Sequence, residues 1–143
     1  MRLFLDCDGV LADFDKLASE ILGMAPRKFE ELNGAKEFWK KIRQHKEFYF
    51  KLEPMEDALE LHNAVKHLKP TILTGKPFGI ASAEDDKIRW AKKHFGEDQE
   101  IIVCFSRDKS LHMEAGDIII DDWPQHRKTW AEFGFTTLPR KKA

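Results

Sequence analysis

The stretch Met1-Arg-Leu-Phe-Leu-Asp-Cys-Asp-Gly-Val10 determines how the rest of the chain is interpreted. Residues 2–5, which are apolar after Arg2, form a run that ends at Asp6, and a second carboxylate follows at Asp8 before Gly9. Such a run is typical of a buried strand, and ligands of open α/β sheets bind beyond the carboxyl ends of strands. Alternation along the extended chain points both carboxylates the same way, and two like charges so close favour a cation or a shared proton between them. We therefore expect a ligand site here. The alternative is a capped strand end with solvated carboxylates.

The composition predicts one compact domain that spans residues 1–143. The net charge is only −1 although 34% of the residues are charged, which argues against a nucleic-acid polymer or an anionic membrane as partner. No apolar stretch approaches the ~20 residues of a membrane span, and Asp6 interrupts any secretory pattern. Cys7 and Cys104 lie in or beside apolar runs and are interpreted as reduced, so we expect a cytoplasmic protein. The oligomeric state stays open.

The segment after the first strand predicts a small helical cap. Apolar residues at helical spacing indicate short helices, which Gly23 and the turn Asn33-Gly34 separate. The segment is longer than an ordinary loop. We therefore expect residues 14–52 to form a cap inserted over the acidic edge.

The remainder of the chain alternates between predicted strands and helices, which indicates a parallel sheet in an α/β fold. A helix is expected to bury one apolar face that ends at Leu68, and Ser82 with Asp85 resembles a capping box. The run 84–86 is interpreted as a solvated helix start. Pro124 suits another helix start, and Trp123 could line a ligand entrance. The further strands are predicted at 71–74, 101–105, 117–120 and 135–138.

Residues suited to phosphoryl transfer follow the predicted strands. Carboxylates supply the hard oxygen ligands of Mg²⁺, a threonine with nearby backbone amides can hold phosphoryl oxygens, and a lysine neutralises developing charge. A threonine after a strand is usually a cap and a lone lysine is usually solvated, so each residue alone is a weak signal. The ordered set is stronger because its members share one edge: Asp6 and Asp8, then Thr74, then Arg107 and Lys109, and finally Asp121 and Asp122.

That order resembles the motifs of the haloacid dehalogenase (HAD) superfamily of phosphatases. Asp6-Cys-Asp-Gly-Val10 is similar to its first motif, Thr74 to its second, Lys109 to its third and Asp121-Asp122 to its fourth. The resemblance covers nearly the whole chain. It implies a three-layer, Rossmann-like parallel sheet with the small helical cap inserted after the first strand.

The resemblance also implies a role for each acidic residue. Asp6 would be the nucleophile that forms an aspartyl-phosphate, and Asp8 would protonate the leaving oxygen and then activate water. Mg²⁺ is the implied cofactor, held by the Asp6 carboxylate, the Asp8 backbone carbonyl and one acid of the last pair. Asp122 is favoured as that ligand, with Asp121 as its neighbour.

Within the superfamily, the chain looks most like the 5'(3')-deoxyribonucleotidases. The similar stretches are 8–14, 50–54, 90–96, 107–109 and 119–122. The chain departs from that pattern where Gly75 and Lys76 follow Thr74, since those nucleotidases commonly have Ser-Pro there, and its cap looks shorter. The implied partner is a small phosphomonoester, with a nucleotide favoured, and the implied substrate-binding residues include Gly75, Lys76 and Arg107.

Aromatic residues crowd the predicted cap. Phe38 is interpreted as part of the cap's own core, but so short a segment cannot bury all its rings among so few partners. Some should face the acidic edge, where a flat apolar ligand such as a nucleobase could stack on them. We expect Trp39, or one ring of Phe48, Tyr49 and Phe50, to contact the base. The resemblance favours a pyrimidine deoxynucleoside monophosphate.

Several alternatives stay open. A phosphorylated signalling receiver also uses an acidic pair, a threonine and a lysine, but its acidic pair follows the first strand, whereas here the pair comes last. A catalytically silent binding module is disfavoured because every motif position is filled. Among enzymes, the alternative is a phosphatase of phosphosugars or other small phosphomonoesters. The scattered histidines lack the spacing of zinc ligands.

Overall fold

Within the residues described, five strands form one parallel sheet. The computed structural model describes residues 1–122, 130–132, 134 and 136–139. The strands are β1 (Leu3–Leu5), β2 (Thr71–Gly75), β3 (Ile101–Cys104), β4 (Ile118–Asp121) and β5 (Thr136–Pro139). Their spatial order is β3-β2-β1-β4-β5, so β1 lies in the middle. The α/β fold with a parallel, Rossmann-like sheet is confirmed.

The register of the sheet brings the strand ends together. Leu5, the last residue of β1, lies beside Ile72 of β2 and Ile120 of β4. The residues that follow β1, β2 and β4 therefore meet at one edge, because parallel strands all end on the same side. This arrangement is what the sequence predicted for the acidic residues and for Thr74.

Helices connect the strands. The segment between β1 and β2 contains α1 (Phe14–Leu22), α2 (Pro26–Asn33), α3 (Ala35–Gln44), α4 (Ala58–Val65) and a 3₁₀ turn at Lys66–Leu68. Between β2 and β3 lies α5 (Ala83–Phe95), and a 3₁₀ segment at Ser106–His112 follows β3. The limits of the cap, residues 14–52, stay a prediction.

Local signals explain where the first helices begin and end. The Asp13 side chain accepts a hydrogen bond from the Lys16 N–H at 3.2 Å and caps α1. Gly23 ends that helix with a φ of 75°, a left-handed conformation that glycine adopts without strain. Pro26 opens α2, where its missing N–H has no helical partner to lose.

Both faces of the sheet are buried, as in parallel sheets generally. Leu5 and Ile72 belong to a large core cluster that extends into α1–α3 and the inner face of α5. Their neighbours Phe4 and Leu73 point the other way and form a second cluster with Trp130. Alternation along the strands assigns the two sets to opposite faces.

Two local predictions are wrong. Leu68 is 56% exposed, because α4 ends at Val65 and the tighter 3₁₀ turn after it changes the direction of the following side chains. Ser82 makes no side-chain capping bond and has helical φ and ψ (−80°, −9°), whereas a capping residue needs an extended conformation.

The remaining expectations concern the cysteines, the membrane and the last part of the chain. Cys7 and Cys104 are both free thiols, the first buried and the second half-buried. In the part of the chain that the structure describes, no helix combines the length and apolar character needed to span a membrane. The predictions for Trp123 and Pro124 lie outside the described residues.

Candidate active site

Asp6 directly follows β1 and is held by backbone and side-chain hydrogen bonds. Its N–H donates to the Ile120 carbonyl at 2.9 Å, which continues the pairing of β1 with β4. Its Oδ1 accepts from the Cys7 N–H and from the Lys109 Nζ, both at 2.9 Å. Burial raises the pKa of Asp6 to about 6, against the opposing effect of the Lys109 ammonium.

The turn after Asp6 brings the acidic pair of β4 close to it. The Cys7 carbonyl accepts from the N–H groups of Val10, Leu11 and Ala12, which reverses the chain. Gly9 in this turn has a φ of 82°, and a Cβ there would lie 2.0 Å from the Asp122 Oδ2. Glycine is therefore required twice, for its conformation and for the approach of Asp122.

Three carboxylates form a group that could hold a metal ion. Asp6, Asp121 and Asp122 each offer an oxygen, and these atoms lie within 4.8 Å of one another. Asp121 is buried, and its Oδ2 accepts a hydrogen bond from the Trp130 Nε1 at 3.2 Å. Hard oxygen donors at this spacing fit Mg²⁺, and a cation would relieve the repulsion among the three carboxylates.

The Asp8 side chain is not part of this group of three and has its own hydrogen-bond partner. Its Oδ2 accepts from the Lys87 Nζ at 3.1 Å. Its Oδ1 is buried and has no hydrogen-bond partner among the described residues. A buried oxygen without a partner is costly, so this atom is expected to meet a ligand or a proton.

Lys87 is a site residue that sequence analysis missed. It lies on α5, is only 2% exposed, and its Nζ also donates to the Thr74 Oγ1 at 2.9 Å. The same ammonium lies 4.5 Å from the centre of the Tyr49 ring. Its sequence signal was its position four residues before Ala91, on the apolar side of an amphipathic helix, where a charge needs a buried partner.

The acidic start of α5 is also less solvated than predicted. Glu84 and Asp85 are exposed, but Asp86 is 2% exposed and accepts a hydrogen bond from the Arg89 Nη2 at 2.9 Å. The interpretation of residues 84–86 as a solvated run is therefore wrong for Asp86. The sequence distance of three residues places this acid beside its arginine on the helix.

The residues predicted at the ends of β2 and β3 differ in burial and in hydrogen-bond partners. Thr74 and Lys109 are both buried. Lys109 donates to Asp6, whereas the Thr74 hydroxyl accepts from Lys87, which in turn donates to Asp8. A Cβ at Gly75 would lie 2.1 Å from the Ser106 Oγ, so glycine permits a close approach of the two connections. Lys76 lines the cavity above the carboxylates and donates to the Glu84 Oε1 at 3.0 Å.

A cavity of about 650 Å³ opens over these residues. Its base includes Asp6, Asp8, Lys109 and Asp122. Ligand cavities are typically ~300–1,000 Å³, so a molecule of nucleotide size fits this volume.

Aromatic residues form one wall of the cavity. Trp39 and Tyr49, both predicted to contact a base, line it together with Phe14 and Phe38. Phe14 was not predicted to line the cavity. Phe38 is buried in the core as predicted, and it lines the cavity as well. Phe48 and Phe50, which were also predicted to contact a base, are not among the described residues that line this cavity.

Packing explains where those two rings lie. Phe48 is 2% exposed and meets Phe14 and Tyr49 edge to face, with ring centres 5.2 and 5.1 Å away. The Phe50 ring lies 4.2 Å from the Arg89 guanidinium carbon on the side of α5. Residues 46–51 form turns, in which the Lys51 N–H donates to the Glu47 carbonyl at 3.0 Å, so the neighbouring side chains point in different directions. Of the three rings in 48–50, Tyr49 lines the cavity.

Arg107, predicted to bind substrate, lies outside the described wall of this cavity. It is exposed, and its guanidinium carbon lies 5.3 and 5.5 Å from the ring centres of Phe78 and Phe105. It lines a smaller cleft that adjoins the main cavity.

Comparison with known sequences identifies the family. A family model described as "5' nucleotidase, deoxy (Pyrimidine), cytosolic type C protein" matches residues 1–134. A putative 5'(3')-deoxyribonucleotidase of Acanthamoeba polyphaga mimivirus is 35% identical, over 89% of this chain and 65% of the relative. The mouse mitochondrial 5'(3')-deoxyribonucleotidase is 28% identical, over 96% of this chain and 73% of the relative.

A third relative is the human cytosolic type of 5'(3')-deoxyribonucleotidase. It is 28% identical, over 85% of this chain and 70% of the relative. The matches to these three proteins extend over about two thirds to three quarters of each relative's length.

Solved structures show the same fold at lower identity. A hydrolase from Streptococcus pneumoniae TIGR4 superposes with a TM-score of 0.63 at 11% identity, covering 99% of this chain and 92% of that one. The L-2-haloacid dehalogenase of Xanthobacter autotrophicus has a TM-score of 0.58 at 15% identity, covering 96% and 76%. A HAD family enzyme from Bacteroides thetaiotaomicron, in its magnesium complex, has a TM-score of 0.51 at 15% identity, covering 98% and 92%. The chain has the HAD fold and belongs to the family of 5' nucleotidases, deoxy (pyrimidine), cytosolic type C.

Proposed function

We propose that this protein is a Mg²⁺-dependent phosphomonoester hydrolase that dephosphorylates nucleotides. The names of its relatives describe those proteins as nucleotidases. The observation that supports it best is the pairing at the base of the cavity. Asp6 is paired with the buried Lys109, and two residues later Asp8 carries a buried oxygen without a described partner. This arrangement offers a nucleophile and a proton donor to one phosphoryl group.

Asp6 would act as the nucleophile. Its carboxylate oxygen forms a bond to phosphorus as the bond from phosphorus to the ester oxygen breaks. The Lys109 ammonium favours the ionised carboxylate, against the burial that raises the pKa of Asp6 to about 6. That charge also offsets the negative charge that the carboxylate and the phosphoryl oxygens bring together.

Asp8 would move the protons. In the first step it gives a proton to the leaving ester oxygen, so that an alcohol departs. In the second step it removes a proton from water, whose oxygen attacks phosphorus while the bond to Asp6 breaks, and inorganic phosphate leaves. Lys87 holds the other carboxylate oxygen of Asp8 in place and joins it to the Thr74 hydroxyl.

The acidic group would hold the metal ion. Asp6 and Asp122, with the Asp8 backbone carbonyl, supply the oxygen ligands that Mg²⁺ prefers. Asp122 would be the direct ligand, with Asp121, whose Oδ2 accepts a hydrogen bond from Trp130, as its neighbour. When bound, Mg²⁺ screens the charge between the carboxylates and the phosphate.

The aromatic wall supports a nucleotide rather than a sugar phosphate. Phe14, Trp39 and Tyr49 offer ring faces and edges to a flat group, whereas a phosphosugar has no such surface. A pyrimidine deoxynucleoside monophosphate is the favoured substrate, as the family description suggests for its members. A phosphosugar phosphatase is the second candidate, and a cytoplasmic location stays a prediction.

A screen of phosphomonoesters, with Mg²⁺ and with a chelator, tests this function. We expect turnover of thymidine 5'-monophosphate with Mg²⁺, loss of activity with the chelator and recovery when Mg²⁺ is restored. Sugar phosphates and an aryl phosphate serve as the comparison substrates. Equal activity with and without chelator would contradict the proposed dependence on Mg²⁺. Preference for a sugar phosphate over every nucleotide tested would favour the second candidate.

A further inference from the structure

The cleft beside the main cavity has the composition of a binding subsite. It encloses about 360 Å³, and Phe78, Phe105 and Arg107 line it. Trp39, Lys76 and other residues line both the cleft and the main cavity, so the two spaces adjoin. A ligand held at Asp6 can therefore extend into the cleft.

The cleft presents an aromatic surface to solvent. Phe78 is 65% exposed, although it is a large apolar residue. Its ring stacks on Phe105 with the ring centres 4.3 Å apart and the planes 14° from parallel. An exposed ring that is fixed by stacking offers a flat face to another ring at little cost in conformational entropy.

Two cations lie beside these rings. The Lys76 Nζ is 5.1 Å from the centre of Phe105, and the Arg107 guanidinium carbon is 5.3 Å from the centre of Phe78. Lys76 shares its charge with Glu84, but no carboxylate oxygen of the described residues lies within ion-pair distance of Arg107. The cleft therefore favours an anion next to a flat group.

We propose that the cleft binds the second unit of a 5'-phosphorylated dinucleotide, whose terminal phosphate lies at Asp6. Stacked aromatic rings with neighbouring cations are how proteins bind successive units of single-stranded nucleic acid. The second base stacks on Phe78, and Arg107 and Lys76 meet the internal phosphodiester. Only the terminal phosphomonoester is hydrolysed, and the internal diester stays intact. This inference rests on the proposed phosphatase function.

Kinetics with matched substrates test the subsite. We compare thymidine 5'-monophosphate with the 5'-phosphorylated dithymidine dinucleotide in the wild type, Phe78→Ala and Arg107→Gln. Each variant is expected to raise KM for the dinucleotide about tenfold relative to KM for the mononucleotide. Leu111→Ala is the control, because Leu111 is 79% exposed on the adjacent 3₁₀ segment and lines neither cavity.

A dinucleotide with a neutral methylphosphonate linkage measures how much the negative charge of the internal phosphodiester contributes to binding. In the wild type its KM should exceed that of the normal dinucleotide. Arg107→Gln should leave the KM of the methylphosphonate dinucleotide nearly unchanged, so that the difference between the two linkages shrinks. An Arg107→Gln effect of the same size on both linkages would overturn the assignment of Arg107 to the diester.

Direct binding separates a failure of the subsite from a failure of the proposed function. Calorimetry with the Asp6→Asn protein and Mg²⁺ should give tighter binding of the dinucleotide than of the mononucleotide, and Phe78→Ala should remove that preference. This result supports the subsite even when no substrate is hydrolysed. Equal affinity for the two ligands, or a dinucleotide affinity that neither cleft variant changes, overturns it.

Discussion

Two buried lysines reach the carboxyl edge of the sheet from different parts of the fold. Lys109 lies in the connection after β3 and donates to Asp6, whereas Lys87 lies on α5 and donates to Asp8 and Thr74. The two carboxylates of the first motif therefore each have their own ammonium group. We infer that Lys109 serves the nucleophile, and that Lys87 orients the proton donor and the phosphate-binding threonine.

The comparison also shows how such a site is assembled. Strand ends supply the carboxylates and the threonine, but the cations come from a connection and from the inner face of a helix. A helix that packs on a sheet can place a charge under the site without any signal at a strand end.

The largest effect is expected for Asp6→Asn, which removes the anion that Lys109 binds. Turnover of any good substrate should fall at least about a thousandfold, because the amide oxygen is a poor nucleophile for phosphorus. Circular dichroism should show an intact fold. Near-normal rates in this variant would contradict the assignment of Asp6 and leave Lys109 without a catalytic partner.

Lys109→Ala should follow, with a decrease in kcat of roughly a hundredfold. The variant leaves Asp6 and the phosphate facing each other without the ammonium group. The matched control is Lys92→Ala, an exposed lysine on α5, which should leave kcat nearly unchanged. Equal effects at the two positions would exclude Lys109 from the site.

Lys87→Met should lower kcat by about tenfold, less than Lys109→Ala does, because Lys87 contacts Asp8, the proposed proton donor, rather than Asp6, the proposed nucleophile. Methionine keeps most of the unbranched, apolar part of the side chain, and thermal unfolding reports any loss of packing. Lys92→Met is the control on the same helix. A larger loss at Lys87 than at Lys109 would reverse the proposed division between the two lysines.

The smallest effect is expected at Trp39 in the aromatic wall of the cavity. Trp39→Ala should raise KM for a nucleotide about fivefold by removing a stacking surface, and leave KM for a sugar phosphate unchanged. Phe50→Ala is the aromatic control, since Phe50 lies against Arg89. If Trp39→Ala and Phe50→Ala shift KM equally, the wall is packing and the base does not contact it.

The sequence alone determined the fold class and showed that the residues at the strand ends lie at one edge of the sheet. It also showed the resemblance to the deoxyribonucleotidases, which the family match confirmed. These inferences depend on local signals. An apolar run identifies a strand, and parallel strands must end together, so the positions of Asp6, Thr74 and Asp121 in the chain suffice to assign them to one edge.

Only the tertiary structure decided which side chains face the site. The sequence placed Lys87 on the apolar side of its helix but did not identify its partners, because Asp8 and Thr74 are 79 and 13 residues away in the chain. Trp39 and Tyr49 reach the cavity while Phe48 and Phe50 do not, and Arg107 lines the neighbouring cleft. The physical reason is that the direction of a side chain depends on the packing of its element against the others, which local spacing does not specify.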